Sequence, residues 1–140
     1  MLYTAYLKKL TTCPFCDKGD RQIIRQKSAY LTYAKAPYAP YHLLVIPKRH
    51  TQSFLSLTKT ENADIAKLLH AGVKILHKLG IKNCSILVRD GAGAEKSIKH
   101  LHYHIIPNHR IGDLDIHGEQ RRILTEKEIT NFIKKIKNNL

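Results

Sequence analysis

The chain has 140 residues, 43% hydrophobic and 25% charged, and no run nears the roughly 18 apolar residues that a membrane span needs. That is ordinary globular composition, long enough for one domain with its own core, residues 1–140, and too short for two. With 24 lysines and arginines against 11 acids, a net charge of +13 and a pI near 9.8, the surface attracts polyanions: nucleotides, nucleic acids or anionic membranes.

The lysines are scattered along the chain, so charge alone does not choose among these partners. Met1-Leu2-Tyr3-Thr4 opens no signal peptide, because no apolar region and small-residue cleavage site follow, and the expectation is a soluble, cytoplasmic protein. Three cysteines cannot all pair with one another, and Cys13 and Cys16 sit too close for an ordinary framework disulfide in a cytosolic chain.

Residues 1–12 show no clear periodicity beyond Leu2, Tyr6 and Leu10. Cys13-Pro14-Phe15-Cys16 follows, a knuckle whose two thiolates can reach one metal ion, so it fits either a redox pair or half a zinc site. A thioredoxin-like pair opens a helix directly after a buried strand, and neither residues 1–12 nor the turn-like Asp17-Lys18-Gly19-Asp20 supplies that setting. Two short runs rich in β-formers come next, residues 22–26 and 29–34, and Lys27-Ser28 between them predicts a hairpin. Ala36-Pro37-Tyr38-Ala39-Pro40 is a loop, since each proline forces its predecessor out of helical geometry. His42-Leu43-Leu44-Val45-Ile46-Pro47 is a continuous apolar run and so a buried central strand, and His50 stands just beyond its end.

Thr58 and Glu61 form a capping box, and Ile65, Leu68, Leu69, Val73, Leu76 and Leu79 recur at helical spacing until Gly80 stops the helix. His70 and His77 share a face of that helix and are read as solvated or packed, because no carboxylate or cysteine accompanies them. Residues 84–88 are another strand, with Cys84 a small buried filler. The loop from Arg89 to Lys99 carries Gly91, Gly93, Lys96 and Ser97, and its backbone N–H groups and cations suit a phosphate. Residues 108–120 are irregular. Thr125-Glu126-Lys127-Glu128 is a second capping box and starts a closing helix with Ile129, Phe132, Ile133 and Ile136 on one stripe and lysines on the other face.

The most informative stretch is His100-Leu101-His102-Tyr103-His104-Ile105-Ile106-Pro107, three histidines alternating with apolar residues. In an extended chain His100, His102 and His104 share one face while Leu101, Tyr103 and Ile105 turn into the core. Imidazole can be nucleophile, general base, general acid or metal ligand near neutral pH, and a strand fixes three of them at a constant pitch.

This stretch, together with the spacing of Gly91, Ala94, Ser97 and Ile98 before it and the Pro40–His50 segment upstream, resembles the histidine triad (HIT) nucleotide-binding family. The resemblance implies an α+β domain with a five-stranded antiparallel sheet and two main helices, commonly a homodimer, and nucleotidyl transfer to water. His102 would attack the α-phosphorus and form a covalent nucleotidyl-imidazole, splitting one hard displacement into two easier ones. His100, His104 and His42 would orient the ring and shuttle protons, and Ser97, Lys96, Arg89 and Gly93 would hold the substrate. Histidine rather than glutamine at His104 implies hydrolysis rather than transfer. A subset of bacterial relatives binds zinc through residues matching Cys13, Cys16, His50 and His100, a closed set suited to structure rather than catalysis.

The chain departs from the family pattern at Arg89, Glu95, Lys96 and Ala34, which leaves the histidine chemistry intact and the nucleoside and leaving group open. The implied substrates are dinucleoside polyphosphates or nucleoside phosphoramidates, with adenine the default purine base. Two rival readings are a basic nucleotide-binding or regulatory module with little turnover, and a hydrolase of adenylated nucleic-acid ends. The charge adds weak, nonspecific nucleic-acid binding, and no membrane partner is expected.

Overall fold

The strands are β1 (Gln22–Arg25), β2 (Ala29–Tyr33), β3 (Leu43–Pro47), β4 (Cys84–Val88) and β5 (Tyr103–Pro107), in a computed structural model that describes residues 1–16, 22–91, 98–108 and 122–139. The helices are α1 (Tyr3–Lys8), α2 (Lys59–Lys78) and α3 (Glu126–Lys137). The five strands form one antiparallel sheet, as the family resemblance implies, in the order β1-β2-β3-β5-β4. Two compact units divide the chain: Met1–His109 holds the sheet, α1 and α2, and Arg110–Leu140 holds α3. No helix among the described residues is long and apolar enough to cross a membrane.

Each strand alternates its side chains between the two faces of the sheet. Ala29 and Leu31, Leu43 and Val45, Tyr103 and Ile105 turn to one face and bury against Ile65, Leu68 and Leu76 of α2. Tyr30, Leu44 and Ile46 turn to the other, where Phe15 packs on them. The hairpin forms where Lys27-Ser28 predicts it. Asp64 of α2 fastens its turn by accepting the Ser28 backbone N–H at 2.9 Å and the hydroxyl at 2.6 Å. Those two hydrogen bonds hold the Asp64 carboxyl below its ordinary range.

Both predicted capping boxes are present, Thr58 with Glu61 and Thr125 with Glu128. Gly80, at φ +83°, ends the α2 segment in the left-handed conformation that glycine adopts without steric cost. His70 and His77 are exposed, and Cys84 is half-buried at the margin of the core. Helix α1 is an addition to the sequence reading. Its six residues carry no side-chain cap and no acid in the first turn, so the usual start signals are missing.

The histidine strand begins later than its alternation predicts. β5 opens at Tyr103, and the chain from Ile98 to His100 is a bend. The register sets Leu43 opposite Ile105 and Val45 opposite Tyr103, so the next pair inward would place Leu101 against Pro47. Proline has no N–H to give the ladder. The Leu101 N–H instead donates to the carbonyl of Thr51 at 2.7 Å, and the segment peels away from the sheet while Leu101 stays wholly buried.

Gly72 lets α2 approach β5 closely. A Cβ there would overlap the Ile105 side-chain terminus and meet Leu31 Cδ1 at 3.4 Å. Alanine gains about 1 kcal/mol of helix propensity over glycine, and overpacking costs about 1–3 kcal/mol. Gly72→Ala should therefore be neutral to about 2 kcal/mol destabilising in denaturant unfolding, and Gly72→Val clearly worse. A stabilised Gly72→Val protein would contradict this packing.

Candidate active site and metal-ligand cluster

Buried imidazoles gather where β3 and β5 lie side by side. His42 precedes β3, His104 sits within β5 opposite Leu44, and both are almost wholly buried. The proline-containing loop turns back on itself through Tyr41, which adopts φ +67°, a left-handed conformation rare for a side chain of its size. That turn brings the Tyr38 N–H to 3.1 Å from His42 Nδ1. A backbone N–H can only donate, so Nδ1 accepts and the His42 proton sits on Nε2.

From there the hydrogen bonds have one direction. His42 Nε2–H donates to His104 Nδ1 at 3.0 Å, which places the His104 proton on its own Nε2. Burial, aided by the repulsion that His102 and His42 exert when protonated and by the Arg89 charge, pushes the His104 pKa down to about 3, so the ring is neutral near pH 7. His102 stands edge-on to His104, ring centres 4.8 Å apart. Its Nδ1–H donates to the backbone carbonyl of His100 at 2.7 Å, so in the neutral ring the lone pair is on Nε2. One fold thus gives neighbouring imidazoles opposite tautomers, a donor nitrogen on His104 and a basic one on His102.

These rings line a cavity of about 420 Å³, within the range of small-ligand sites. Its other walls are aromatic, from Tyr3 and Tyr6 of α1, Phe15 and Tyr38, with Ala34, Leu44 and Ile98 as an apolar floor and Lys35 and Arg89 as cations. Lys35 Nζ lies 4.3 Å over the Tyr6 ring, and Tyr38 stacks on His42 with ring centres 5.6 Å apart. Neutral bases among aromatic walls and two cations suit an anionic, planar ligand.

His100 does not line this cavity; it belongs to a second cluster. Cys13 Sγ lies 3.4 Å from His100 Nδ1, and Cys16 Sγ lies 3.2 Å from His50 Nδ1 and 3.5 Å from His100 Nδ1. All four donor atoms lie within 4.8 Å of one another. Metal–sulfur bonds of about 2.3 Å and metal–nitrogen bonds of about 2.0–2.1 Å at tetrahedral angles put sulfur and nitrogen about 3.5 Å apart, which these three sulfur–nitrogen spacings match. His100 Nε2–H donates to the Pro47 carbonyl at 2.8 Å, which points the Nδ1 lone pair at the thiols, and burial holds the ring neutral. Cys13, Cys16 and Cys84 are all free of disulfides.

The structure therefore brings together His42, His102, His104 and Arg89 in one place, and Cys13, Cys16, His50 and His100 in another. Gly93, Lys96 and Ser97, with Ala94 and Glu95, lie outside the described residues, as does most of the irregular stretch 108–120. Sequence reasoning missed the aromatic walls. Phe15 was visible only as the spacer between two cysteines, Tyr38 as a loop residue, and α1 carried no start signal.

The sequence profile of the HIT domain matches residues 17–111. Adenosine 5'-monophosphoramidase hnt1 of Schizosaccharomyces pombe is 34% identical over 101 residues, 69% of this chain and 74% of the relative. Bis(5'-adenosyl)-triphosphatase of Saccharomyces cerevisiae is 35% identical over 99 residues, 68% of this chain but only 47% of the yeast protein. The histidine triad nucleotide-binding protein of Candida albicans has the same fold, with a TM-score of 0.75 over 91% of this chain and 96% of the other, at 22% identity. With the profile spanning the sheet and the buried histidines, the chain belongs to the HIT domain family.

Proposed function

We propose that this chain is a nucleotide hydrolase that works through a covalent nucleotidyl-His102 intermediate, on dinucleoside polyphosphates or nucleoside phosphoramidates. What carries this reading is the order of hydrogen bonds from Tyr38 through His42 to His104, beside a His102 whose proton is tied to the His100 carbonyl. The names of the two yeast relatives support it, one for a phosphoramidate bond and one for a triphosphate anhydride, both of adenosine.

In the first step His102 Nε2 forms a bond to the α-phosphorus while the bond to the leaving group breaks and its electron pair departs with that group, as a phosphate anion from a polyphosphate or, from a phosphoramidate, as an amine whose nitrogen takes a proton from solvent. The ring becomes an N-phosphoryl imidazolium, and its positive charge is stabilised by the same Nδ1–H to carbonyl hydrogen bond. In the second step water attacks the phosphorus, the N–P bond breaks, the pair returns to Nε2, and the proton of the attacking water passes to solvent. His104, held neutral, acts by directing its Nε2–H at a phosphoryl or leaving-group oxygen, and His42 orients it. Lys35 and Arg89 offset phosphate charge in the cavity, with Ser97, Lys96 and Gly93 as further phosphate contacts on sequence grounds.

The second cluster fits structural zinc. Two thiolates and two imidazoles complete a tetrahedral set, so the ion would stabilise the fold and take no part at phosphorus. The reading includes a single cytoplasmic HIT domain that pairs as a homodimer. β4 supports the pairing: among the described residues it is an edge strand without a charge or proline to guard it, and its Ile86 is half exposed.

His102→Asn should lower turnover of diadenosine triphosphate by more than about 10³ while nucleotide binding persists, measured by product release and calorimetry. Retained turnover would refute the mechanism. Protein made with zinc present should carry about one ion per chain, and chelation should lower its melting temperature; a metal-free protein of unchanged melting temperature would argue against the cluster's role.

His104 also makes stability depend on pH. Its pKa is about 3 in the folded chain against an ordinary 6.5, so below 6.5 the unfolded chain takes up a proton that the native one refuses. Its contribution is whole above pH 6.5 and is lost as pH falls toward 3. The melting temperature should fall between pH 7 and about pH 4.5, and His104→Gln should shrink that fall. An equal fall in both proteins would show that His104 is not held neutral by burial.

A further inference from the structure

We propose that the Cys13–Cys16 knuckle positions the nucleophile: through His100 and Phe15, the metal-ligand cluster sets the orientation and tautomer of the His102 ring. This rests on the reading of His102 as nucleophile and adds a role to a cluster otherwise structural.

His100 joins the two sites. It is 0% exposed and bonded in three directions: ring Nδ1 to the sulfurs at 3.4 and 3.5 Å, ring Nε2–H to the Pro47 carbonyl at 2.8 Å, and its own carbonyl to the His102 Nδ1–H at 2.7 Å. A ring so held cannot swing away from the sulfurs without disturbing the backbone whose carbonyl decides which His102 nitrogen carries the proton. Because the residues lie outside the β5 ladder, no strand pairing among the described residues fixes that carbonyl.

Phe15 makes a second connection. It sits between the two cysteines, and its ring stands edge-on to His102, centres 4.9 Å apart, and to His100 at 6.0 Å. Its carbonyl accepts the Tyr30 hydroxyl at 2.6 Å, so the knuckle is docked on β2 and the ring lies between cluster and cavity. The knuckle's outer edge, Cys16 and His50, is exposed, so a chelator can reach the ligands. The competing account is that the Pro47 and Thr51 carbonyls alone hold the segment 100–101, which makes the cluster dispensable for His102.

The test compares the full chain loaded with zinc and stripped of it. Histidine-labelled protein is read by long-range ¹H–¹⁵N correlation, which reports which ring nitrogen bears the proton, and kcat and KM are measured on diadenosine triphosphate. Loaded protein should show His102 protonated at Nδ1; stripping should give mixed tautomers and lower kcat on the order of 10- to 100-fold, the usual cost of losing such outer contacts, with little change in KM. Phe15→Ala in zinc-loaded protein should lower kcat in the same way, and Phe15→Leu, which keeps bulk against the ring, should restore most of it.

Should the stripped chain unfold, zinc-loaded Phe15→Ala, with Phe15→Leu as its control, decides the matter by the same readouts. A folded stripped chain, or a folded Phe15→Ala chain, with His102 signals and kcat unchanged overturns the proposal. So does an effect on KM alone, which would make Phe15 merely a wall of the cavity. If loaded protein turns over no nucleotide, the hydrolase reading fails separately, and the tautomer measurement still decides whether the cluster sets His102.

Discussion

The ladder between β3 and β5 stops at Pro47, and both clusters depend on that stop. Because proline offers no N–H, Leu101 is turned to the Thr51 carbonyl, and the backbone from His100 to His102 is released from strand geometry. Had the ladder continued, His100 and His102 would have stayed on one flat face at strand pitch. Released, they diverge: His100 turns its ring to the cysteines and gives its carbonyl to His102, and His102 turns to the cavity. The Pro47 carbonyl, left over from the ladder, accepts from His100 and fixes its tautomer.

Burial then decides the chemistry. Four imidazoles, His42, His100, His102 and His104, are each 8% exposed or less, and burial pushes the His100 and His104 pKa values below the ordinary imidazole value. Neutral rings must each be a donor on one nitrogen and an acceptor on the other, so a single backbone N–H, that of Tyr38, propagates an order through His42 to His104. The sheet supplies rigidity for this order: β5 is buried on both faces, clamped between β3 and β4 and backed by α2.

Most of the framework was legible because its signals are local. The hairpin around Lys27-Ser28, the apolar β3, the capping boxes of α2 and α3 and the Gly80 stop each depend on a few adjacent residues. The alternation from His100 to Ile105 correctly put Leu101, Tyr103 and Ile105 in the core, yet it could not show where pairing ends, because that depends on Pro47, a partner more than fifty residues away. The same limit hid the cavity walls. Tyr3, Tyr6, Phe15 and Tyr38 come from segments distant in sequence, and an aromatic ring carries no sign in its own neighbourhood that it will face a site. Family resemblance supplied the pairing of His50 and His100 with the cysteines, which spacing alone left open between redox and metal chemistry.

The central claim is that phosphorus passes through His102 before it reaches water, and the steric course at phosphorus tests this most directly. A substrate made chiral at the α-phosphorus with sulfur, hydrolysed in ¹⁸O-enriched water, should give product of retained configuration, because two in-line displacements invert twice. Inverted product would mean that water attacks the nucleotide in one step, and His102 would then not be a nucleophile.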